Sequence, residues 1–126
     1  MKLRLYQNHF AITKLAAIPP TLHQDLAGSF YSLTVTDDEV SLICESTKLG
    51  YNTIKCDKDW RLFRIEGVLD LSMIGVIAAM AKVLAQHEIS IFVMSSYNTD
   101  YALIRAKQTN KACSKLREAG YIIAED

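Results

Sequence analysis

Hydrophobic and polar residues alternate most regularly in the second half of the chain. In WRLFRIEG (60–67), Leu62, Arg64 and Glu66 oppose Phe63 and Ile65, which predicts a strand ending at Gly67. The period then changes. Leu71, Ile74, Ile77, Ala78, Ala81, Leu84 and Ala85 form one helical stripe, and Met73, Val76, Met80 and Val83 form a second. A helix is therefore expected from Leu71 to His87, with Asp70 or Ser72 as its cap. Only Ser72, Gly75, Ala79, Lys82 and Gln86 form a small or polar strip. A surface helix carries one apolar stripe, so two predict cover on both sides, by a sheet and by another domain or subunit. ISIFVMSS (89–96) and YALIRA (101–106) have the β-branched and aromatic content of strands. The residues Tyr97-Asn98-Thr99-Asp100 between them suit a hairpin, since Asn and Asp tolerate left-handed backbone angles. TNKACSKLREAG (109–120) predicts a helix with Thr109 as N-cap, Ala112, Leu116 and Ala119 on one face, and Gly120 as its stop. YIIAED (121–126) closes with a strand, so the order is β-α-β-β-α-β, the ferredoxin-like motif.

The first half reads as a degraded copy of the second. HFAITKLA (9–16), FYSLTVT (30–36) and EVSLICES (39–46) are expected strands, the last two joined at the acidic turn Asp37-Asp38. IPPTLHQDLAG (18–28) fits a short helix starting near Pro20, and TKLGYN (47–52) is too short for a good second helix. The fold class expected is α+β, with two tandem units covering 1–59 and 60–126. No linker rich in Gly, Pro or Ser separates them, so the two are expected to pack as one body.

Composition narrows the function. Of 126 residues half are apolar, enough for a packed core, and 14 basic residues balance 14 acidic ones. That balance leaves no electrostatic footprint for nucleic acid and little self-repulsion between subunits. The longest apolar run, Met73 to Ala81, is stopped by Lys82 and falls short of the roughly 20 residues that span a membrane. MKLRLYQNHF has no apolar signal-peptide core, and a cytoplasmic protein is expected. Cys44, Cys56 and Cys113 form neither a C-x-x-C pair nor a zinc pattern and read as reduced core thiols. His9, His23 and His87 sit in no catalytic motif, and the five glycines form no phosphate loop. Tyr97 and Tyr101 lack the basic companions of a ferredoxin-like RNA binder. The expectation is a protein that is not an enzyme and carries no metal or cofactor.

EGVLDLSMIGVIAAMAKVLAQHEISIFVMSSYNTDYALI (66–104) resembles the signature of one branch of the ACT domain family. That branch includes small bacterial proteins with two ACT-like units and the arginine sensors of animal cells known as CASTOR. The marks are Gly67-Val68-Leu69-Asp70, Gly75, Ile89 to Phe92, and Ser95-Ser96-Tyr97-Asn98-Thr99-Asp100-Tyr101, with Ser96 where the pattern usually has Thr. FYSLTVTDDEVSLICES resembles the N-terminal unit of the same proteins. The resemblance implies a regulatory homo-oligomer, a dimer in the first instance, that binds an amino acid between two facing ACT units. It implies a site made of the loop residues Gly67, Val68, Leu69, Asp70 and Ser72, the strand start Ile89, Ser90 and Ile91, and the carboxylate of Asp100. Elementary chemistry fits these roles. Free N–H groups at a helix start attract a carboxylate, Gly67 admits close approach, and Asp100 can hold an ammonium or guanidinium. Blander readings stand beside them. Asp70 can cap the helix, where its charge would compete with a ligand carboxylate. Asp100 can cap its own turn, Ser95 and Ser96 can satisfy strand ends, and the whole can be a ligand-free protein–protein interaction module.

Overall fold

The computed structural model describes residues 1–67 and 74–125. Its strands are β1 (Lys2–Leu15), β2 (Tyr31–Val35), β3 (Val40–Glu45), β4 (Thr53–Ile65), β5 (Ile91–Ser95), β6 (Asp100–Arg105) and β7 (Ile122–Glu125). Its helices are α1 (Leu22–Leu26), α2 (Val76–Gln86) and α3 (Thr109–Glu118). The fold is α+β and ferredoxin-like. The chain divides into two compact units, Met1–Gln7 with Arg61–Asp126, and Asn8–Trp60. The long strands β1 and β4 contribute residues to both.

In the first of these units the strand order is β7-β1-β4-β6-β5. β4, α2, β5, β6, α3 and β7 follow one another as βαββαβ. Residues 2–5 of β1 lie between β4 and the closing strand, and β7 pairs with them in parallel, Leu3 opposite Ile123. The Glu66 N–H donates to the Lys2 carbonyl at 2.9 Å and fixes β1 against the end of β4. This arrangement puts Leu3 and Leu5 into the core formed by Phe63, Ile65, Met80, Leu84, Ile104 and Leu116.

α2 departs from its expected extent. It starts at Val76, because Gly75 has φ +79°, a left-handed value that no helical residue adopts. Leu71 to Met73 and both candidate caps, Asp70 and Ser72, lie outside the described residues. Within its own unit α2 packs Val76, Ile77, Met80, Val83 and Leu84 against the core. Ile74 is 96% exposed, and Ala78, Ala79 and Ala85 are exposed too. α3 keeps its predicted span and stop, with Gly120 at φ +98°. Thr109, however, is not its cap. It is the first helical residue, buried, and its hydroxyl donates backward to the Arg105 carbonyl at 3.3 Å.

Asn8–Trp60 has the strand order β2-β3-β1-β4. Its core cluster is Leu15, Leu22, Leu26, Leu42 and Cys44. A 3-10 turn at Ser46–Lys48 stands where a second helix would be. The elements of this unit recur 60 positions later in the other: Tyr31 and Ile91 open β2 and β5, Val40 and Asp100 open β3 and β6, and Ser46 and Ala106 open the 3-10 turns. β3 and β6 share one burial pattern, with Leu42, Ile43 and Cys44 matched by Ala102, Leu103 and Ile104.

The thiols depart from expectation at one position. Cys44 and Cys113 are buried, but Cys56 is exposed. It lies in the segment Thr53–Asp59 of β4, where every residue is exposed. Burial, with smaller contributions from Cys56 and Glu45, pushes the Cys44 thiol up to about 11, so it stays protonated and inert.

Candidate functional site

Gly67 follows β4 with φ +94°, and no atom lies within 4 Å of where its Cβ would be. Gly75, also left-handed, opens α2 by accepting the Ala79 N–H at 2.9 Å. The candidate residues Val68, Leu69, Asp70 and Ser72 between them lie outside the described residues.

The β5–β6 hairpin is closed by the Ser96 N–H donating to the Thr99 carbonyl at 2.9 Å. The Ser96 hydroxyl donates to the same carbonyl at 3.1 Å and accepts the Thr99 N–H at 3.4 Å. One residue back, Ser95 stands opposite Asp100, and its hydroxyl donates to Asp100 Oδ1 at 2.7 Å. The carboxylate therefore meets a side chain across the ladder rather than capping its own turn. The hairpin 60 positions earlier shows that the turn does not require this pair. There Val35 stands opposite Val40, and the Thr36 N–H to Glu39 carbonyl bond of 2.9 Å closes the same turn. Tyr97 at the tip is 79% exposed, while Tyr101 is half-buried with the Arg64 guanidinium 5.8 Å from its ring centre.

Thr99 is the residue that sequence reasoning missed. It is 2% exposed, and its hydroxyl donates to the Ile65 carbonyl at 2.6 Å. The hairpin is thereby tied to the end of β4, two residues before Gly67. A threonine beside Asn in a turn gives no sign of such a long-range bond. In the other unit the buried Thr13 hydroxyl also donates to a backbone carbonyl, that of Leu42 directly opposite it on β3, at 2.8 Å.

The strand start lies elsewhere. Ile89 is a core residue, 4% exposed, and its N–H donates to the Leu84 carbonyl at 3.0 Å. Ser90 is exposed and Ile91 half-buried. All three line an open depression with Ala81, Ala85 and Glu88. Ile91 pairs with Ile104 at one end of the hairpin and Ser95 with Asp100 at the other. At about 3.3 Å per residue, Ile91 and Asp100 are separated by roughly 13 Å along the strand. One unit therefore gathers Gly67 and Asp100 toward one end and keeps Ser90 at the other.

In Asn8–Trp60 a second depression is lined by residues 16–20 and 50–52. Beside it Asp25 Oδ2 accepts from the Thr21 hydroxyl at 2.9 Å and from the Tyr51 hydroxyl at 2.8 Å. Partial burial and the bond to Asp25 push the Tyr51 phenol up to about 12. A raised folded pKa stabilises below the unfolded value near 10 and loses that contribution as pH climbs through about 12. An ultraviolet titration is expected to show a phenol still protonated above pH 10 that vanishes in Tyr51→Phe. A curve of the same shape in both proteins would exclude it. His23 Nδ1 lies 2.7 Å from the Tyr31 hydroxyl, and His9 stands 4.0 Å from Asp59. Among the described residues no group of three or more His, Cys, Asp or Glu could hold a metal ion, and no helix is long and apolar enough to cross a membrane.

Residues 55–118, just over half of the chain, match the family model described as the ACT domain, and the chain belongs to that family. Among solved structures it is similar to a protein from Agobacterium tumefaciens, with 27% identity and a TM-score of 0.86, covering 99% of this chain and 92% of that one. It is also similar in fold to a Vibrio cholerae protein described as a possible transport protein, with 19% identity, a TM-score of 0.70 and coverage of 93% and 88%. The ligand-free regulatory subunit of aspartate kinase from Thermus thermophilus shares the fold at 18% identity and a TM-score of 0.62, with coverage of 94% and 96%. No curated protein matches the chain significantly.

Proposed function

We propose that the protein is a non-catalytic regulator that binds a free amino acid between facing ACT units. Both of its units are ACT units in this reading, 1–59 and 60–126 as the periodicity divides them, and the working form is a cytoplasmic homodimer of the branch that includes the CASTOR arginine sensors. One observation carries it. Gly67 and Asp100 lie toward one end of their unit, whereas Ser90 and Ile91 line a depression at the other. The unit that contains them then holds two half-sites, and a facing unit completes each. In this reading Gly67, Val68, Leu69, Asp70 and Ser72 meet the ligand carboxylate from one unit, Ile89, Ser90 and Ile91 line the pocket from its neighbour, and Asp100 takes a cationic group. The family membership and the fold shared with an aspartate kinase regulatory subunit support it.

The test is a thermal-shift and calorimetric screen of the twenty amino acids, with sedimentation to give the assembly state. A ligand present at about 100 times its dissociation constant stabilises the folded state by about 2.7 kcal/mol. Asp100→Ala is expected to weaken that ligand while leaving the dimer intact. If no amino acid shifts the transition at roughly millimolar concentration, where a useful sensor would be saturated, the proposal fails. A ligand-free interaction module is the second reading. Phe92 and Val93, both partly exposed on the edge strand β5, favour it. It gains if a stoichiometric partner binds and Asp100→Ala leaves that binding unchanged.

A further inference from the structure

Two unfavourable features coincide at Glu88, and its carboxylate is exposed. α2 ends in a Schellman motif, in which the Glu88 N–H donates to the Ala85 carbonyl at 3.1 Å and the Ile89 N–H to the Leu84 carbonyl at 3.0 Å. This geometry puts Glu88 at φ +59°, in the left-handed region that favours glycine. The chain uses glycine at the matching points elsewhere. Gly120 follows α3 at φ +98°, with the same pair of bonds to Arg117 and Leu116, and Gly28 follows α1 at φ +82°. Second, the glutamate carboxylate sits at the negative end of the α2 dipole, where an acid is disfavoured. Among the described residues its carboxylate, which is exposed, has no hydrogen-bond or ion-pair partner and stays open to a ligand, although the backbone carbonyl of Glu88 accepts from the Gln108 side chain at 3.5 Å. Glycine would remove both penalties.

We infer that Glu88 is a ligand-contacting residue whose carboxylate receives the ammonium group of an aliphatic amine. The depression around it has the chemistry for such a group. Ala81 and Ala85 are small and leave room, the exposed Ser90 hydroxyl offers a second acceptor, and Ile91 supplies an apolar wall for methylenes. A lone carboxylate among apolar walls suits an organic cation better than a metal ion, which requires several oxygen ligands. Strain held at the rim of such a depression has a use if the charge there makes a bond that glycine could not. For the ligand being an amino acid, the inference rests on the reading given above; the cation site itself does not need it.

The test uses the full chain and titrates it calorimetrically with the twenty amino acids and with butylamine, cadaverine and agmatine. Wild type is compared with Glu88→Gln, which keeps the backbone strain and the side-chain shape but not the charge. The expected result is an amine-bearing ligand whose affinity falls about tenfold or more in Glu88→Gln. Glu88→Gly is expected to lose the same ligand while raising the melting temperature of the unliganded protein. Equal affinity in wild type and Glu88→Gln overturns this inference and leaves the amino-acid reading standing. Binding of amines but of no amino acid, lost in Glu88→Gln, supports the cation site and overturns the amino-acid reading. Binding of neither class to wild type overturns both.

Discussion

Phe63→Ala is expected to destabilise the protein by about 3–5 kcal/mol, the range for removing a fully buried aromatic ring. Phe63 is 1% exposed and belongs to one cluster with Met80 and Leu84 of α2 and Ala112 and Leu116 of α3. Its strand, β4, is hydrogen-bonded between β1 and β6 and cannot slide into the vacated space. The cavity therefore stays open, and the lost contacts add to the lost burial. Ordinary domains have about 5–15 kcal/mol of stability in total, so this one change removes a large share. Urea denaturation should show a much lower midpoint with an unchanged slope. Phe92→Ala is the contrast. Phe92 is 38% exposed on the edge strand β5, and its truncation is expected to cost about 1 kcal/mol or less. Similar losses at both positions would refute the assignment of the core.

Much of this core was legible in the sequence, and the exceptions have physical causes. Phe63 and Ile65 alternate with Leu62 and Arg64, and a period of two leaves few alternatives for a strand. Leu3 and Leu5 alternate with Lys2, Arg4 and Tyr6 at the same period, yet the first strand was expected only over His9 to Ala16, whereas β1 begins at Lys2. Nothing local says that these leucines join the core of Phe63, because strand partners 60 residues apart leave no periodic trace. The start of α2 was misjudged for a related reason. Ile74 fits the apolar stripe, but the left-handed angle at Gly75 takes it out of the helix, and hydropathy carries no dihedral information. Thr109 has the composition of a cap, yet its hydroxyl faces back toward the Arg105 carbonyl. Cys56 shows that a buried-residue preference yields to its surroundings when the neighbouring residues are Lys55, Asp57 and Lys58. The site was less legible than the fold. Gly67, Ser90 and Asp100 were drawn from a resemblance, and Glu88 stood out only when its φ angle could be compared with those of Gly28 and Gly120.

Thr99→Val is expected to cost about 1–3 kcal/mol, although it keeps the shape of the side chain. The threonine hydroxyl donates to the Ile65 carbonyl at 2.6 Å and is buried, so valine leaves that carbonyl facing a methyl group and shut off from water. Thr99→Ser restores the donor and loses only the methyl, so it should recover most of the difference. This ordering separates the hydrogen bond from packing, since packing alone would rank valine as the milder change. The consequence reaches past stability. Ile65 ends β4, and Gly67 follows two residues later. Releasing the hairpin from Ile65 frees the end of β4 from which the candidate loop departs. Amide exchange in Thr99→Val should therefore quicken at Glu66 and Gly67 more than at Phe63, which is held from both sides by β1 and β6. Uniform quickening along β4 would mean that the bond supports the whole unit, whereas quickening confined to the strand end would identify Thr99 as the residue that positions the loop.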